Sequence, residues 1–215
     1  HPSETLTVVG VTGTNGKTTT TYLLAAIFDA AGLPCGRLGT VTVRTGPRPS
    51  DEVEASHTTP EASEVQRLLR EMVTRGCRAC AMEVSSHALV LHRVAFTRFA
   101  AAIFTNLTRD HLDFHGDMAS YFEAKSRLFD LLPPGAPAII NIDDPRGAEL
   151  AARVSRPVTF GIHKDADVRP ESVQLSLDGL AFDVKTPTGT LAVRSSLVGW
   201  PNVYNTLGVV ATAMA

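Results

Sequence analysis

A β-rich run, Leu6-Thr-Val-Val-Gly-Val11, passes straight into Thr12-Gly-Thr-Asn-Gly-Lys-Thr18, and a helical pattern follows with apolar residues at Tyr22, Leu23, Ala26, Ile27 and Ala30. A strand, a glycine-rich turn and a helix in this order constrain the chain more than any other feature. The turn places successive backbone N–H groups and a helix N-terminus where they can converge on phosphate oxygens. Gly13 and Gly16 let the backbone come close to a ligand with no Cβ in the way. Lys17 would neutralise charge on the β and γ phosphates, and the Thr18 hydroxyl can ligate the Mg²⁺ that accompanies a nucleotide. The strict phosphate-loop pattern needs a glycine where Val11 stands, so this is a shorter loop.

The rest of the chain alternates strand and helix. Gly32 and Pro34 stop the first helix, residues 36–43 resume in extended form, and the polar, Pro-rich residues 44–56 read as a long mobile loop. Pro60 suits a first helical turn ahead of the apolar spacing Val65, Leu68, Leu69 and Met72, which ends at Gly76. Strands are predicted at residues 79–84, 99–104 and 138–142, with a helix at 118–131 between the last two. The predicted fold is α/β, a mostly parallel sheet with helices on both faces. Near residues 165–197 the period becomes two, which predicts a small antiparallel β-hairpin region turning at Asp178-Gly179, with a further strand after Thr188-Gly189. Residues 206–215 are an apolar helical run without a cap and read as a cut inside a larger protein.

Composition narrows the partners. With 215 residues, 44% hydrophobic and 20% charged, the chain can bury a sizeable core. A formal net charge of −2 with no block of Lys or Arg argues against nucleic acid or an anionic membrane surface as partner and for small molecules. No run of about 18 apolar residues occurs, and residues 1–7 lack the parts of a signal peptide, so a cytoplasmic address and no membrane insertion are expected. Cys35, Cys77 and Cys80 are odd in number, and the Cys77-Arg-Ala-Cys80 pair leads into a strand. They are expected to be small buried core residues.

Unaided, several polar residues stay open to plain readings. Glu83 could be a solvated strand end, His111 a member of an ordinary polar loop with Asp110, Asp113 and His115, and Lys125 a helix-surface lysine. Thr59 could cap a helix and Arg93 could be a surface charge. The spacing His111-Leu-Asp-Phe-His115 fits zinc loosely, but no Cys or further His motif completes a four-ligand set.

Five motifs in one order sharpen this: His57-Thr-Thr-Pro-Glu61, Glu83-Val-Ser-Ser-His-Ala-Leu89, Asn106-Leu-Thr-Arg-Asp-His-Leu-Asp113, the segment 121–129 containing Glu123-Ala-Lys-Ser-Arg-Leu-Phe129, and the segment 197–205. With the loop at Thr12 to Thr18, they resemble the Mur ligase family, in particular its members that add the third residue of the wall peptide. The resemblance covers nearly the whole chain. It implies the central, ATP-binding domain of such a ligase, truncated at its C-terminal end, with the UDP-binding N-terminal and amino-acid-binding C-terminal domains absent. It implies that Gly13, Thr14, Asn15, Gly16, Lys17, Thr18, Thr19 and Asn106 hold ATP, with Asn202 and Asn205 near the adenine. Thr18, Glu83, His111 and Lys125 would hold two Mg²⁺, Lys125 as a carbamate made with CO₂. Thr58, Thr59, Ser85 and Arg93 would hold the muramoyl peptide, and Lys17, His111 and Lys125 would carry catalysis. Carbamylation needs a neutral amine, so Lys125 must be desolvated or close to metal.

The reaction so implied is ATP-dependent amide formation. The γ-phosphoryl group moves to a carboxylate of UDP-N-acetylmuramoyl-L-alanyl-D-glutamate, and the acyl phosphate is attacked by the amine of meso-diaminopimelate or L-lysine. The fragment alone is expected to be inactive. The other readings are another Mur ligase, folylpolyglutamate synthase, or a non-catalytic nucleotide-binding module. Two positions depart from the family pattern, Leu91 in place of Gln and Pro201 in place of an aromatic residue or His.

Overall fold

A computed structural model describes residues 1–215. Its main sheet has eight strands: β1 (Thr7–Thr12), β2 (Cys35–Leu38), β3 (Thr42–Arg44), β4 (Glu52–Glu54), β5 (Ala79–Glu83), β6 (Ala101–Phe104), β7 (Ala138–Asn141) and β8 (Pro157–Phe160). Their spatial order is β4-β3-β2-β5-β1-β6-β7-β8, parallel from β2 to β8 and antiparallel at the β3 and β4 edge. The helices are α1 (Lys17–Ala30), α2 (Ala62–Thr74), α3 (Ser86–Val90), α4 (Leu112–His115), α5 (Met118–Asp130), α6 (Pro145–Ala151) and α7 (Trp200–Met214). Strands β9 (Arg169–Ser176), β10 (Gly179–Thr186) and β11 (Gly189–Ser195) form a separate antiparallel sheet in the order β11-β10-β9. The α/β fold and the antiparallel region are those expected from the alternation of patterns.

The sheet is covered on both faces, which is why its central strands are almost uniformly apolar. On one face Val8, Met82 and Phe104 pack under Val65, Leu69 and Met72 of α2 and Tyr121, Phe122 and Leu128 of α5. On the other, Val9, Val11 and Ile103 pack under Leu24 of α1 and Val203, Leu207 and Val210 of α7. The two-residue period of β1 therefore sends Val8 one way and Val9 and Val11 the other. All three cysteines are buried and free. Burial pushes their thiols up, Cys35 to about 12, which keeps them protonated and unreactive.

Residues 44–56 are not a long mobile loop. They hold the end of β3, a 3₁₀ turn at Pro49–Asp51 and β4, an antiparallel extension of the sheet. Polar anchors hold it. The buried Arg37 guanidinium donates to Thr42 at 2.7 Å and Glu52 at 2.5 Å and lies 3.4 Å from the Tyr22 ring centroid. Arg75 pairs with Asp51 at 2.7 Å. Three-residue strands tied by side chains leave no periodicity to read. Helix α2 begins at Ala62 with Glu61 as N-cap, so Pro60 precedes it. Helix α7 starts at Trp200, earlier than the apolar run alone suggested, because Pro201 fits the first turn and Gly199 takes φ 85° at the cap. No helix is long and apolar enough to cross a membrane.

Candidate functional site

The polar residues singled out above gather beyond the C-terminal ends of β1, β5 and β6, where open α/β sheets bind ligands. β1 ends at Thr12 and the chain turns through Gly13 (φ 142°) and Gly16 (φ 88°) before α1 begins at Lys17. No side chain caps α1, so its first N–H groups and its positive dipole end face the loop. A Cβ on Gly13 would collide with the Thr105 hydroxyl, and one on Gly16 with the Asn205 carboxamide. Gly13→Ala is expected to cost about 1–3 kcal/mol of stability from backbone conformation alone, read as a lowered urea midpoint. An unchanged midpoint would show that the loop relaxes freely.

Two lysines converge inside the loop. Lys17 Nζ donates to the carbonyls of Gly13 at 2.9 Å and Thr14 at 2.8 Å. Lys125 Nζ, 1% exposed on α5, donates to the same Gly13 carbonyl at 2.8 Å and lies 4.5 Å from the Tyr121 ring centroid. Burial first, and the Lys17 charge second, push the Lys125 ammonium down to about 6, against a smaller pull from Asp110. Lys125 is therefore no surface lysine; its amine is largely neutral at pH 7, the state carbamylation needs. Burial lowers Lys17 as well, with Glu83 and Asp110 opposing.

Glu83 closes β5 and is 1% exposed, so it is no solvated strand end. Its carboxylate accepts from Thr18 Oγ1 at 3.1 Å and from the amide and hydroxyl of Thr40, both at 3.0 Å. Carboxylate and hydroxyl oxygens beside a phosphate loop form a hard donor set, the kind Mg²⁺ takes while keeping waters and phosphate oxygens as its other ligands. No three His, Cys, Asp or Glu side chains are arranged to hold a metal unaided. His111 takes φ 50° as the residue before α4, 48% exposed, with Nε2 3.5 Å from Asp110. Its ring meets His87 and Tyr121 edge-on, with centroids 4.9 and 6.1 Å away, which places it at the mouth and not in the buried oxygen cluster.

Next to this cluster lie the residues matched to peptide binding. The Thr59 hydroxyl donates to the Glu83 carbonyl at 2.9 Å and accepts from Ser85 N at 3.1 Å, so it ties two loops together and is not a helix cap. The Thr58 and Thr40 hydroxyls meet at 3.0 Å, and Ser85 caps α3 by accepting from Ala88 N. Arg93, mostly buried, donates to the Thr59 carbonyl at 3.1 Å and pairs with Glu61 at 2.5 Å. On the opposite side of the loop a cavity of about 360 Å³ is lined by Asn15, Gly16, Asn106, Trp200, Tyr204 and Asn205. Asn202 stands behind this wall and accepts from Asn205 Nδ2 at 3.0 Å.

Sequence reasoning missed Thr40, Thr105 and the pair Asp143 and Tyr204. The Asp143 carboxylate accepts from the amides of Ile162, His163 and Lys164 and from the Tyr204 hydroxyl at 2.9 Å, which fixes the cavity wall. Thr105 adjoins Asn106 within a recognisable motif and was findable there; nothing in the sequence singles out Thr40.

The family model described as the Mur ligase middle domain matches residues 11–213. The 2,6-diaminopimelate ligases acting on UDP-N-acetylmuramoyl-L-alanyl-D-glutamate from Geobacter metallireducens and Geobacter sulfurreducens are 48% and 50% identical over the whole chain, which covers 43% of each. A UDP-N-acetylmuramyl-tripeptide synthetase from Roseiflexus is 42% identical, with 45% of its length covered. A solved structure named for the same diaminopimelate ligase superposes with a TM-score of 0.86 at 32% identity, over 97% of this chain and 43% of that one. The chain thus spans less than half the length of the curated relatives it matches. By the span of the family match and by this level of identity, it belongs to the Mur ligase family and corresponds to the middle domain of those enzymes.

Proposed function

We propose that this chain is the ATP-binding central domain of a ligase that adds the third amino acid to UDP-N-acetylmuramoyl-L-alanyl-D-glutamate, with the uridine-binding and amino-acid-binding domains elsewhere in the full-length enzyme. The amino acid is 2,6-diaminopimelate, the one carried in the names of its relatives. The observation that carries the reading is the meeting of Lys17 and Lys125 at the Gly13 carbonyl beside a buried, hydroxyl-flanked Glu83.

ATP lies with its phosphates on the amides of the Gly13 to Thr19 turn and its base in the cavity walled by Asn15, Asn106 and Asn205, the last braced by Asn202. Lys17 exchanges its bonds to the loop carbonyls for the β and γ phosphates and neutralises charge as the γ-phosphoryl group moves to the substrate carboxylate. Thr18 and Glu83 would hold one Mg²⁺, and His111 with a carbamate on Lys125 would hold the other; the ions would supply positive charge around the phosphates. The neutral Lys125 amine forms that carbamate by adding to CO₂ with loss of one proton. Arg93, Ser85, Thr58 and Thr59 orient the muramoyl peptide, the guanidinium exchanging its pair with Glu61 for an acidic group of the peptide. Amine attack on the acyl phosphate then forms the amide and releases phosphate.

The test is the full-length enzyme with the muramoyl dipeptide, ATP, Mg²⁺ and either 2,6-diaminopimelate or lysine. The expected result is one ADP and one phosphate per tripeptide, with diaminopimelate preferred. Release of AMP and pyrophosphate, or ATP consumption indifferent to the muramoyl dipeptide, would overturn the reading.

A further inference from the structure

We infer that Asn106 is a positioning residue that splints the phosphate loop and contributes no hydrogen bond to the base. Its amide is already committed. Oδ1 accepts from Asn15 N at 3.0 Å and Nδ2 donates to Asn15 O at 3.1 Å, so the side chain pairs with one residue's backbone as a neighbouring strand would. The rest of the segment carries on the same pairing. The Asn106 carbonyl accepts from Thr14 N at 2.9 Å, and the Thr105 amide donates to the Thr12 carbonyl at 3.0 Å. The Thr105 hydroxyl donates to Asn15 O at 2.6 Å. Beyond it, Thr108 N donates to Thr14 Oγ1 at 3.0 Å, and Asn15 Nδ2 donates to Thr108 Oγ1 at 3.2 Å.

The parallel pairing of β1 with β6 is thereby extended past the ends of both strands by side chains. The need for this is physical. A loop entered through a glycine at φ 142° and left through one at φ 88° has little intrinsic preference for the shape that aims its amides at phosphates. An external template supplies that shape. Of the four asparagines that line the cavity, Asn106 and Asn141 have their side-chain oxygens occupied, whereas those of Asn15 and Asn205 accept no hydrogen bond. The base is accordingly left to groups other than Asn106, which acts through Asn15.

This inference rests on the proposed ATP site, and its test separates the two. In the full-length ligase, Asn106→Ala is expected to raise KM for ATP and Kd for ADP about tenfold, the value of roughly one net hydrogen bond to the loop. The ATP to GTP preference in kcat/KM and the KM for the muramoyl dipeptide should stay as in the wild type. A base ligand would instead lose the ATP to GTP preference, and a merely structural residue would lower all activities without a selective rise in KM for ATP; either result overturns the assignment. Thr108→Val, which removes another link of the same splint, should raise KM for ATP by a smaller factor with the base preference kept, and it decides the matter if Asn106→Ala does not fold. A wild-type enzyme that fails to saturate with ATP would defeat the site itself, whereas normal saturation with an indifferent Asn106→Ala defeats only the splint.

Discussion

Lys17→Ala in the full-length ligase is expected to lower ATP-dependent turnover by about 10²–10³-fold, the range for losing one preorganised group at a developing charge. The fold should survive. Lys17 Nζ binds only the Gly13 and Thr14 carbonyls, and the Gly13 carbonyl keeps Lys125 as a donor. The ammonium is held in a mostly buried place with Glu83 and Asp110 maintaining its charge, so it is poised for phosphate and spent on nothing else in the fold. Lys17→Arg should not restore the rate, because a planar guanidinium cannot occupy the space of a compact ammonium between two loop carbonyls. ADP release under steady state and calorimetry with ATP measure both variants. Wild-type affinity and turnover in Lys17→Ala would remove the phosphate-loop reading altogether.

Much of this site could be read from the chain because its residues sit at element ends that sequence marks clearly. The loop at Gly13 to Thr19 lies between the apolar core of β1, residues 8–11, and a helical period, so its place at the sheet's C-terminal edge follows from alternation alone. Glu83 and Asn106 likewise follow apolar runs, β5 and β6. What the sequence withheld depends on long-range neighbours. Lys125 has the helical context of a surface residue, and only the packing of α5 against the loop, 112 positions earlier, buries its amine at Gly13. Thr40 reaches Glu83 across 43 residues from a turn with no signature. Residues 44–56, with β4, read as a loop because their order comes from Arg37 with Glu52 and Arg75 with Asp51, pairs that a hydrophobic pattern does not record.

Lys125→Met is expected to make the protein more stable and its catalysis far weaker. The ordinary lysine value of 10.5 falls to about 6 in the fold, mainly through burial and then through Lys17. Between those two values the unfolded chain binds one proton that the folded chain does not, so wild-type stability climbs with pH across this window. Below about pH 6 both states are protonated and the fold carries the full penalty of a buried ammonium. Methionine has similar length and no charge, and it leaves the Gly13 carbonyl to Lys17. The advantage of Lys125→Met should therefore be greatest near pH 6 and shrink by about 1.4 kcal/mol per pH unit toward pH 10. Urea unfolding of both proteins in CO₂-free buffer from pH 6.5 to 9 measures it, since titrating groups not coupled to Lys125 cancel in the difference. Parallel stability curves would mean an ordinary, charged lysine and would leave no neutral amine for CO₂. Converging curves together with a turnover loss of about 10²-fold or more would show that the fold keeps a destabilising residue because the chemistry requires it.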